Sequence, residues 1–170
     1  MKVLLVGMMG AGKTTVGRLL AARLGWLYVD SDEEVEQATG HRVAELFEAG
    51  GEAAFRSVET DALRRALAGR HPAVVSVAGG AVLDPENRRL LASGGTVVWL
   101  RADPATLAAR VGTGAGRPLL EGGAAAALAR LDAVRRPLYA EVADVVVDVD
   151  RLTPEQVAAE VDAGVARAAP

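Results

Sequence analysis

The stretch GMMGAGKTT, residues 7–15, follows a short apolar run and opens a helical pattern. It matches the phosphate-binding loop GxxxxGK[ST], in which glycines allow successive backbone N–H groups to point at phosphate oxygens. Lys13 would reach the outer phosphates, and the hydroxyl of Thr14 would face Mg²⁺. The motif therefore predicts a protein that holds a nucleoside triphosphate. The other residues expected to bind the nucleotide in this loop are Gly10, Ala11, Gly12 and Thr15.

Apolar runs typical of buried strands alternate along the chain with helical patterns. The strand-like runs cover residues 2–6, 27–29, 73–77, 96–100 and 144–147. Helix starts are marked where a capping residue precedes a proline, as in Asp84-Pro85, Asp103-Pro104 and Thr153-Pro154. This alternation predicts one three-layer α/β/α domain over residues 1–170, built on a five-stranded parallel sheet.

Composition excludes several classes of protein and of site. The chain has 170 residues, 51% of them hydrophobic, which is enough for the core of one domain. Its net charge is −3 and it has no long cationic run, so nucleic acid is a poor candidate partner. The absence of cysteine and the presence of only two histidines argue against a thiolate or histidine-rich metal site. Because the first apolar run is only as long as a strand, we expect no signal peptide or membrane span and a cytoplasmic protein. We also expect a monomer.

Two carboxylates follow the second strand, in the sequence VDSD at residues 29–32. In one interpretation Ser31 or Asp32 caps the next helix, whose dipole favours acidic residues in its first turn. In the other, Asp30 and Asp32 lie near the phosphate loop, because ligands bind beyond the carboxyl ends of parallel strands. One acid would then suit metal-bound water and the other an acceptor hydroxyl.

Arg56 and the tripeptide AGG at residues 78–80 also admit two interpretations each. Glu59 lies one helical turn after Arg56, so a solvated i,i+3 salt bridge accounts for the arginine by itself. The tripeptide follows a strand-like run and suits a simple turn. Its glycines would equally allow a ligand to approach the backbone closely.

Three more arginines lie in the second half of the chain. Glycines at both ends of residues 112–123 predict a lid hinge, and Arg117 lies inside this segment. An arginine there is either solvated or positioned to neutralise charge during phosphoryl transfer. Arg135 and Arg136 precede Pro137 near an expected helix C-terminus, where cations are favoured in any case. Position alone assigns a function to none of the three.

Taken together, these segments resemble the shikimate kinase family over nearly the whole chain. The matching pieces, in order, are GMMGAGKTT, VDSD, TGHRVAELFEAGGEAAFR, AGGAVL, GRPLL and RRPLY. The resemblance implies transfer of the γ-phosphate of ATP to the 3-hydroxyl of shikimate, with Mg²⁺ accompanying the nucleotide. It also implies a shikimate-binding region near residues 32–63 and a lid near 112–123.

The resemblance assigns roles to individual residues. Arg56 and Arg135 match the clamp for the substrate carboxylate, and Asp32 matches the acid that contacts the reacting hydroxyl. Gly79 and Gly80 match the glycines whose backbone touches the substrate. The remaining assignments place Asp30 and Thr14 at Mg²⁺, Lys13 and Arg117 at the transferred phosphate, and Arg110, Arg151 and Pro154 around the adenine.

The sequence departs from the family pattern at two positions, and one arginine assignment is ambiguous. Ala78 stands where the family usually has a first glycine, and we expect its methyl group to point towards the sheet. The loop reads GKTT where many relatives have GKST, and Thr14 keeps the hydroxyl, so we expect no change in function. Arg136 beside Arg135 makes the clamp ambiguous; we choose Arg135 because it lies two residues before the proline.

Three rival functions remain. The first is a kinase for gluconate, and a less favoured one is a kinase for a nucleoside monophosphate. The third is a nucleotide-gated binding protein that has lost phosphoryl transfer.

Overall fold

The computed structural model describes residues 1–112 and 123–168, and five parallel strands form its sheet. The strands are β1 (Lys2–Val6), β2 (Leu27–Asp30), β3 (Ala73–Ser76), β4 (Thr96–Arg101) and β5 (Val145–Asp148), in the spatial order β2-β3-β1-β4-β5. β1 is central and pairs with β3 and β4. Its residues Val3, Leu4 and Leu5 are fully buried, as expected for a strand covered on both faces. The predicted five-stranded parallel α/β fold is confirmed.

Helices cover both faces of this sheet. They are α1 (Lys13–Leu24), α2 (Ser31–Thr39), α3 (Val43–Ala68), α4 (Pro85–Gly94), α5 (Pro104–Val111), α6 (Ala124–Val142) and α7 (Pro154–Ala168), with a 3₁₀ turn at Ala81–Leu83. α1 packs on α7, while α4 contacts both α3 and α6. α3 is broken at Gly51, where the backbone has a φ of 71° and a ψ of −179°.

All three helix starts marked by a proline are confirmed, and a side-chain cap is present at two of them. The side chain of Asp84 accepts the Glu86 N–H at 2.7 Å, and Thr153 forms a capping box with Gln156. Asp103 occupies the cap position of α5, but its side chain makes no capping hydrogen bond. α2 is capped by neither Ser31 nor Asp32, because Asp30 accepts the Asp32 N–H at 3.1 Å.

The arginine pair lies in the interior of a helix rather than at its C-terminus. α6 continues through Pro137 and ends only at Val142. The expected stabilisation of Arg135 and Arg136 by a nearby helix end is therefore wrong. Their positions are decided by what α6 packs against.

Candidate active site

A cavity of about 680 Å³ opens where β1, β2 and β3 end. Parallel strands carry their ligand sites at this edge, because the connecting loops converge there. Its wall includes most of the site residues expected from the sequence, which come from six separate segments. These are Gly10, Gly12, Lys13, Thr14, Thr15, Asp30, Asp32, Arg56, Gly79, Gly80, Arg110 and Arg135.

The phosphate loop connects β1 to α1 with a backbone that requires glycine. Gly10 and Gly12 have φ values of 84° and 95°, a region that side chains with a Cβ rarely adopt. Lys13 begins α1, and its Nζ donates to the carbonyls of Gly7 at 2.8 Å and Met8 at 3.1 Å. Ala11 is buried in the core instead of lining the cavity. The loop thus combines a helix N-terminus with a cation, which is the arrangement that binds phosphate.

Asp30 has two roles at the end of β2. One carboxylate oxygen caps α2, while Oδ2 accepts the hydroxyls of Tyr28 at 2.9 Å and Thr14 at 3.4 Å. Burial, and then the charge of Asp30, raises the pKa of Tyr28 to about 12, so the phenol remains a donor. A hydroxyl and a carboxylate are hard oxygen ligands suited to Mg²⁺. Among the residues that the structure describes, no group of three or more acidic or histidine side chains is placed to hold a metal ion.

Asp32 lines the same cavity as the phosphate loop, from the first turn of α2. Burial, followed by the charge of Asp30, raises its pKa to about 6. Glu36 acts in the same direction, whereas Lys13 and Arg56 oppose the rise. The carboxyl group is therefore ionised at neutral pH but poorly hydrated, a state typical of acids that work on a substrate.

Arg56 and Glu59 form the i,i+3 ion pair of the first interpretation, but the pair is largely buried and not solvated. Glu59 is only 1% exposed, and its Oε2 accepts from Arg56 Nη1 at 2.8 Å. Burial raises the pKa of Glu59, and Arg56 opposes that rise. A Cβ on Gly80 would lie 2.6 Å from Arg56 Nη1, so only glycine leaves room for the guanidinium there. The pair and the glycine together hold Arg56 at the cavity wall.

Arg135 and its neighbour occupy different environments although they are adjacent in sequence. Arg135 is 2% exposed and lines the cavity, and its buried Nε has no hydrogen-bond partner among the described residues. Arg136 points elsewhere: its Nε donates to Asp132 at 2.8 Å and its Nη2 to the Ala102 carbonyl at 3.1 Å. The structure thus brings Arg135, and not Arg136, to the cavity.

Ala78 begins the tripeptide that follows β3. Its N–H donates to the buried hydroxyl of Ser31 at 2.8 Å, and the residue packs against the main hydrophobic core. It also contributes to the cavity wall. The additional methyl group relative to glycine is thus accommodated at the boundary between core and cavity.

The residues expected around the adenine separate into two groups. Arg110 lines the cavity and donates to the carbonyls of Gly10 at 3.4 Å and Val149 at 2.8 Å. Arg151 and Pro154 are exposed and do not line the cavity. Arg117 lies outside the described residues, as does the expected lid apart from its ends at Gly112 and Gly123.

Three side chains support the site through hydrogen bonds that the sequence did not predict. Tyr28 donates to Asp30, Ser31 accepts from Ala78, and Tyr139 donates to Gly79. Tyr28 lies two residues before Asp30 on one strand, and Tyr139 lies four residues after Arg135 on one helix. Both spacings place side chains on a shared face, so they were detectable signals. Nothing in the local sequence indicates that Ser31 would accept a hydrogen bond from Ala78, because the two residues lie 47 positions apart.

Comparison with known proteins agrees with this geometry. The family model described as shikimate kinase matches residues 9–164. A shikimate kinase from Streptomyces coelicolor is 48% identical over 155 residues, covering 91% of this chain and 90% of that protein. A shikimate kinase from Symbiobacterium thermophilum is 48% identical over 165 residues, covering 95% of this chain and 94% of that protein.

Solved structures give the same result. Shikimate kinase from Acinetobacter baumannii in complex with shikimate superimposes with a TM-score of 0.90 at 37% identity, covering 94% of this chain and 89% of that one. A gluconokinase from Sinorhizobium meliloti has a TM-score of 0.68 at 23% identity, covering 98% and 91%, and this likeness concerns the fold alone. The chain belongs to the shikimate kinase family.

Proposed function

We propose that this chain transfers the γ-phosphate of ATP to the 3-hydroxyl of shikimate, giving shikimate 3-phosphate and ADP. The observation that carries the proposal is that Asp32 and Arg135 share one cavity with the phosphate loop. A single cavity can hold the two reactants side by side, which supplies much of the catalysis in phosphoryl transfer. The solved relative from Acinetobacter baumannii was captured with shikimate, which supports this choice of acceptor.

Arg56 and Arg135 bind the shikimate carboxylate in this proposal. A planar guanidinium donates two parallel hydrogen bonds to a carboxylate, which fixes orientation as well as affinity. Both arginines are held in place, one by the buried carboxylate of Glu59 and the other by burial in α6. The backbone of Gly79 and Gly80 lines the wall between them and would contact the ring hydroxyls.

Asp32 accepts a hydrogen bond from the 3-hydroxyl and directs its oxygen at the γ-phosphorus. Phosphoryl transfer through a loose transition state requires little proton abstraction before the new bond forms, so orientation is its main contribution. The raised pKa still suits Asp32 to take the proton as the phosphate ester forms. Lys13 neutralises charge on the transferred group, and Arg117 does the same from the lid.

Mg²⁺ fits the oxygen ligands of Thr14 and Asp30, which would hold it beside the nucleotide phosphates. When bound, the ion supplies charge neutralisation on the phosphate oxygens. Arg110, whose side chain joins the phosphate loop to the segment after β5, borders the adenine together with Arg151 and Pro154.

The partners that we propose are small molecules: ATP, ADP and shikimate. A net charge of −3 disfavours nucleic acid as a partner. No helix in the described part of the chain is long and apolar enough to cross a membrane. We also propose that the protein is a monomer, acting in the cytoplasm where ATP is supplied.

The first test is the dependence of ADP release on the acceptor. With ATP and Mg²⁺ present, we expect a coupled assay to report ADP release only when shikimate is added. Gluconate is the matched control, because it offers a carboxylate and hydroxyls without the ring. Equal rates with gluconate would overturn the substrate assignment, and binding of both ligands without ADP release would indicate a silent binding protein.

The pKa of Asp32 predicts the pH dependence of the reaction. The proposed role requires the carboxylate form, so kcat/KM for shikimate should decrease as the pH falls below about 6. The measurement is kcat/KM against pH at saturating ATP and Mg²⁺. A profile that remains flat down to pH 4.5, well below the value of about 6, would contradict the role of Asp32.

A further inference from the structure

Tyr139 contacts the tripeptide 78–80 from the protein interior. The tyrosine is fully buried, and its hydroxyl donates to the Gly79 carbonyl at 2.6 Å. It does not line the cavity, whereas Gly79 and Gly80 do. Burial raises the pKa of Tyr139 far above its ordinary value, so its hydroxyl remains protonated and available as a donor.

This hydrogen bond determines the direction of the next peptide group. The peptide bond is planar and trans, so the carbonyl of Gly79 and the N–H of Gly80 point in opposite directions. With the carbonyl directed at the buried Tyr139, the N–H of Gly80 is directed away from Tyr139. A glycine pair has wide conformational freedom, so the backbone requires such an external contact to stay in one orientation.

Neighbouring contacts connect the tripeptide to the rest of the site. A Cβ on Gly79 would lie 3.2 Å from the Gly7 carbonyl, 3.5 Å from the Tyr139 hydroxyl and 3.6 Å from Arg135 Nη1. The tripeptide thus touches the phosphate loop on one side and α6, which carries both Arg135 and Tyr139, on the other. At the first residue of the tripeptide, the Ala78 N–H donates to Ser31 on α2, and Ser31 directly precedes Asp32.

We propose that Tyr139 is a positioning residue for the acceptor. By holding the Gly79 carbonyl, it directs the Gly80 N–H into the cavity, alongside the guanidinium of Arg135. Ser31 holds the same tripeptide at its first residue. The two contacts link the backbone that touches the substrate to the helices that carry Asp32 and Arg135. This inference rests on the proposed function, because it concerns the binding of shikimate.

The test is Tyr139→Phe, which removes one hydroxyl and keeps the aromatic ring in the core. We expect KM for shikimate to rise about three- to tenfold, the effect of losing one buried hydrogen bond. Since ATP does not contact this tripeptide in the proposal, KM for ATP and kcat should remain within about twofold. An unchanged KM for shikimate, or equal changes in both KM values, would overturn the inference.

A matched control separates positioning from packing. Trp99 lies against Tyr139, with ring centroids 5.8 Å apart, and it does not line the cavity. Trp99→Phe should lower Tm by leaving space in the same part of the core, yet leave KM for shikimate unchanged. If Trp99→Phe raises KM as much as Tyr139→Phe does, the effect is one of packing and the inference fails.

A second variant covers the case in which Tyr139→Phe does not fold. Ser31→Ala removes the other contact to the tripeptide, and we expect it also to raise KM for shikimate more than KM for ATP. Failure of Ser31→Ala to do so would then overturn the inference. A wild-type protein without shikimate-dependent ADP release overturns the proposed function and the inference together, whereas an active wild type with unchanged variants overturns the inference alone.

Discussion

Replacing Asp32 with asparagine is expected to lower kcat for shikimate by about a hundredfold or more. Asparagine keeps the size of the side chain but cannot accept a proton, and it orients a hydroxyl less strongly than a carboxylate does. The affinity for ATP should change by less than about twofold, because the phosphate loop is untouched. Steady-state kinetics with each substrate varied in turn measures both quantities.

The same substitution should increase the stability of the folded protein at neutral pH. The native pKa of Asp32 is about 6, above its ordinary value of 3.8, so the native state binds protons more tightly than the unfolded chain. The stabilisation from protonated Asp32 is therefore complete below about pH 4 and is lost as the pH rises through about 6. Asp32→Asn removes this loss, so its Tm should exceed that of the wild type at pH 7, and the difference should shrink towards pH 4.

A decrease in kcat together with an increase in Tm would identify Asp32 as a functional acid, because a structural acid would show the opposite pattern. Glu33→Gln is the matched control, since Glu33 lies in the same helical turn but is exposed and paired with Arg18 at 3.0 Å. It removes the same charge from the helix N-terminus and should change neither kcat nor Tm appreciably. If Asp32→Asn retained full turnover and lost stability, Asp32 would be a residue that supports the helix and the proposed role would be wrong.

Arg135→Ala is expected to raise KM for shikimate by roughly a hundredfold or more, corresponding to about 3 kcal/mol. The substitution removes a buried cation that lines the cavity, where we propose that it binds the substrate carboxylate. Binding of ATP, measured by calorimetry without shikimate, should be little affected. The change in kcat at saturating shikimate should be smaller than the change in KM.

Two further variants define the origin of this effect. Arg135→Lys keeps the charge but loses the planar fork, and should still raise KM at least about tenfold. Arg136→Ala breaks the contacts to Asp132 and to the Ala102 carbonyl, so it should lower Tm with little effect on KM. If Arg136→Ala weakened shikimate binding and Arg135→Ala did not, the assignment of the clamp would be off by one residue.

Much of the fold was accessible from periodicity because it follows from local pattern. The apolar runs identify all five strands to within one or two residues of their observed ends. The interpretation in which Ser31 or Asp32 caps α2 is wrong, because three of four consecutive residues there are good capping residues and only backbone geometry selects Asp30. Pro137 was expected close to a helix end, yet α6 continues past it.

The candidate site was accessible only in part. Arg56 and Glu59 have the spacing of an ordinary surface pair, and nothing local shows that the packing of α3 buries Glu59. The choice between Arg135 and Arg136 depends on which face of α6 meets the cavity, and two adjacent residues lie about 100° apart on a helix. Tyr139 and Ser31 act on a tripeptide more than forty positions away in sequence, so only the folded chain reveals those contacts.

By itself, the sequence determined the phosphate loop, the parallel sheet and the residue types available for binding an acidic acceptor. Those properties depend on spacing along the chain, where the backbone geometry of glycine and the alternation of strand and helix act over a few residues. Only the tertiary structure decided which carboxylates and arginines share a cavity, how far burial raises the pKa of Asp32, and what holds the tripeptide 78–80 in place. Burial, and contact between distant segments, are properties of the packed chain and have no counterpart in a local pattern.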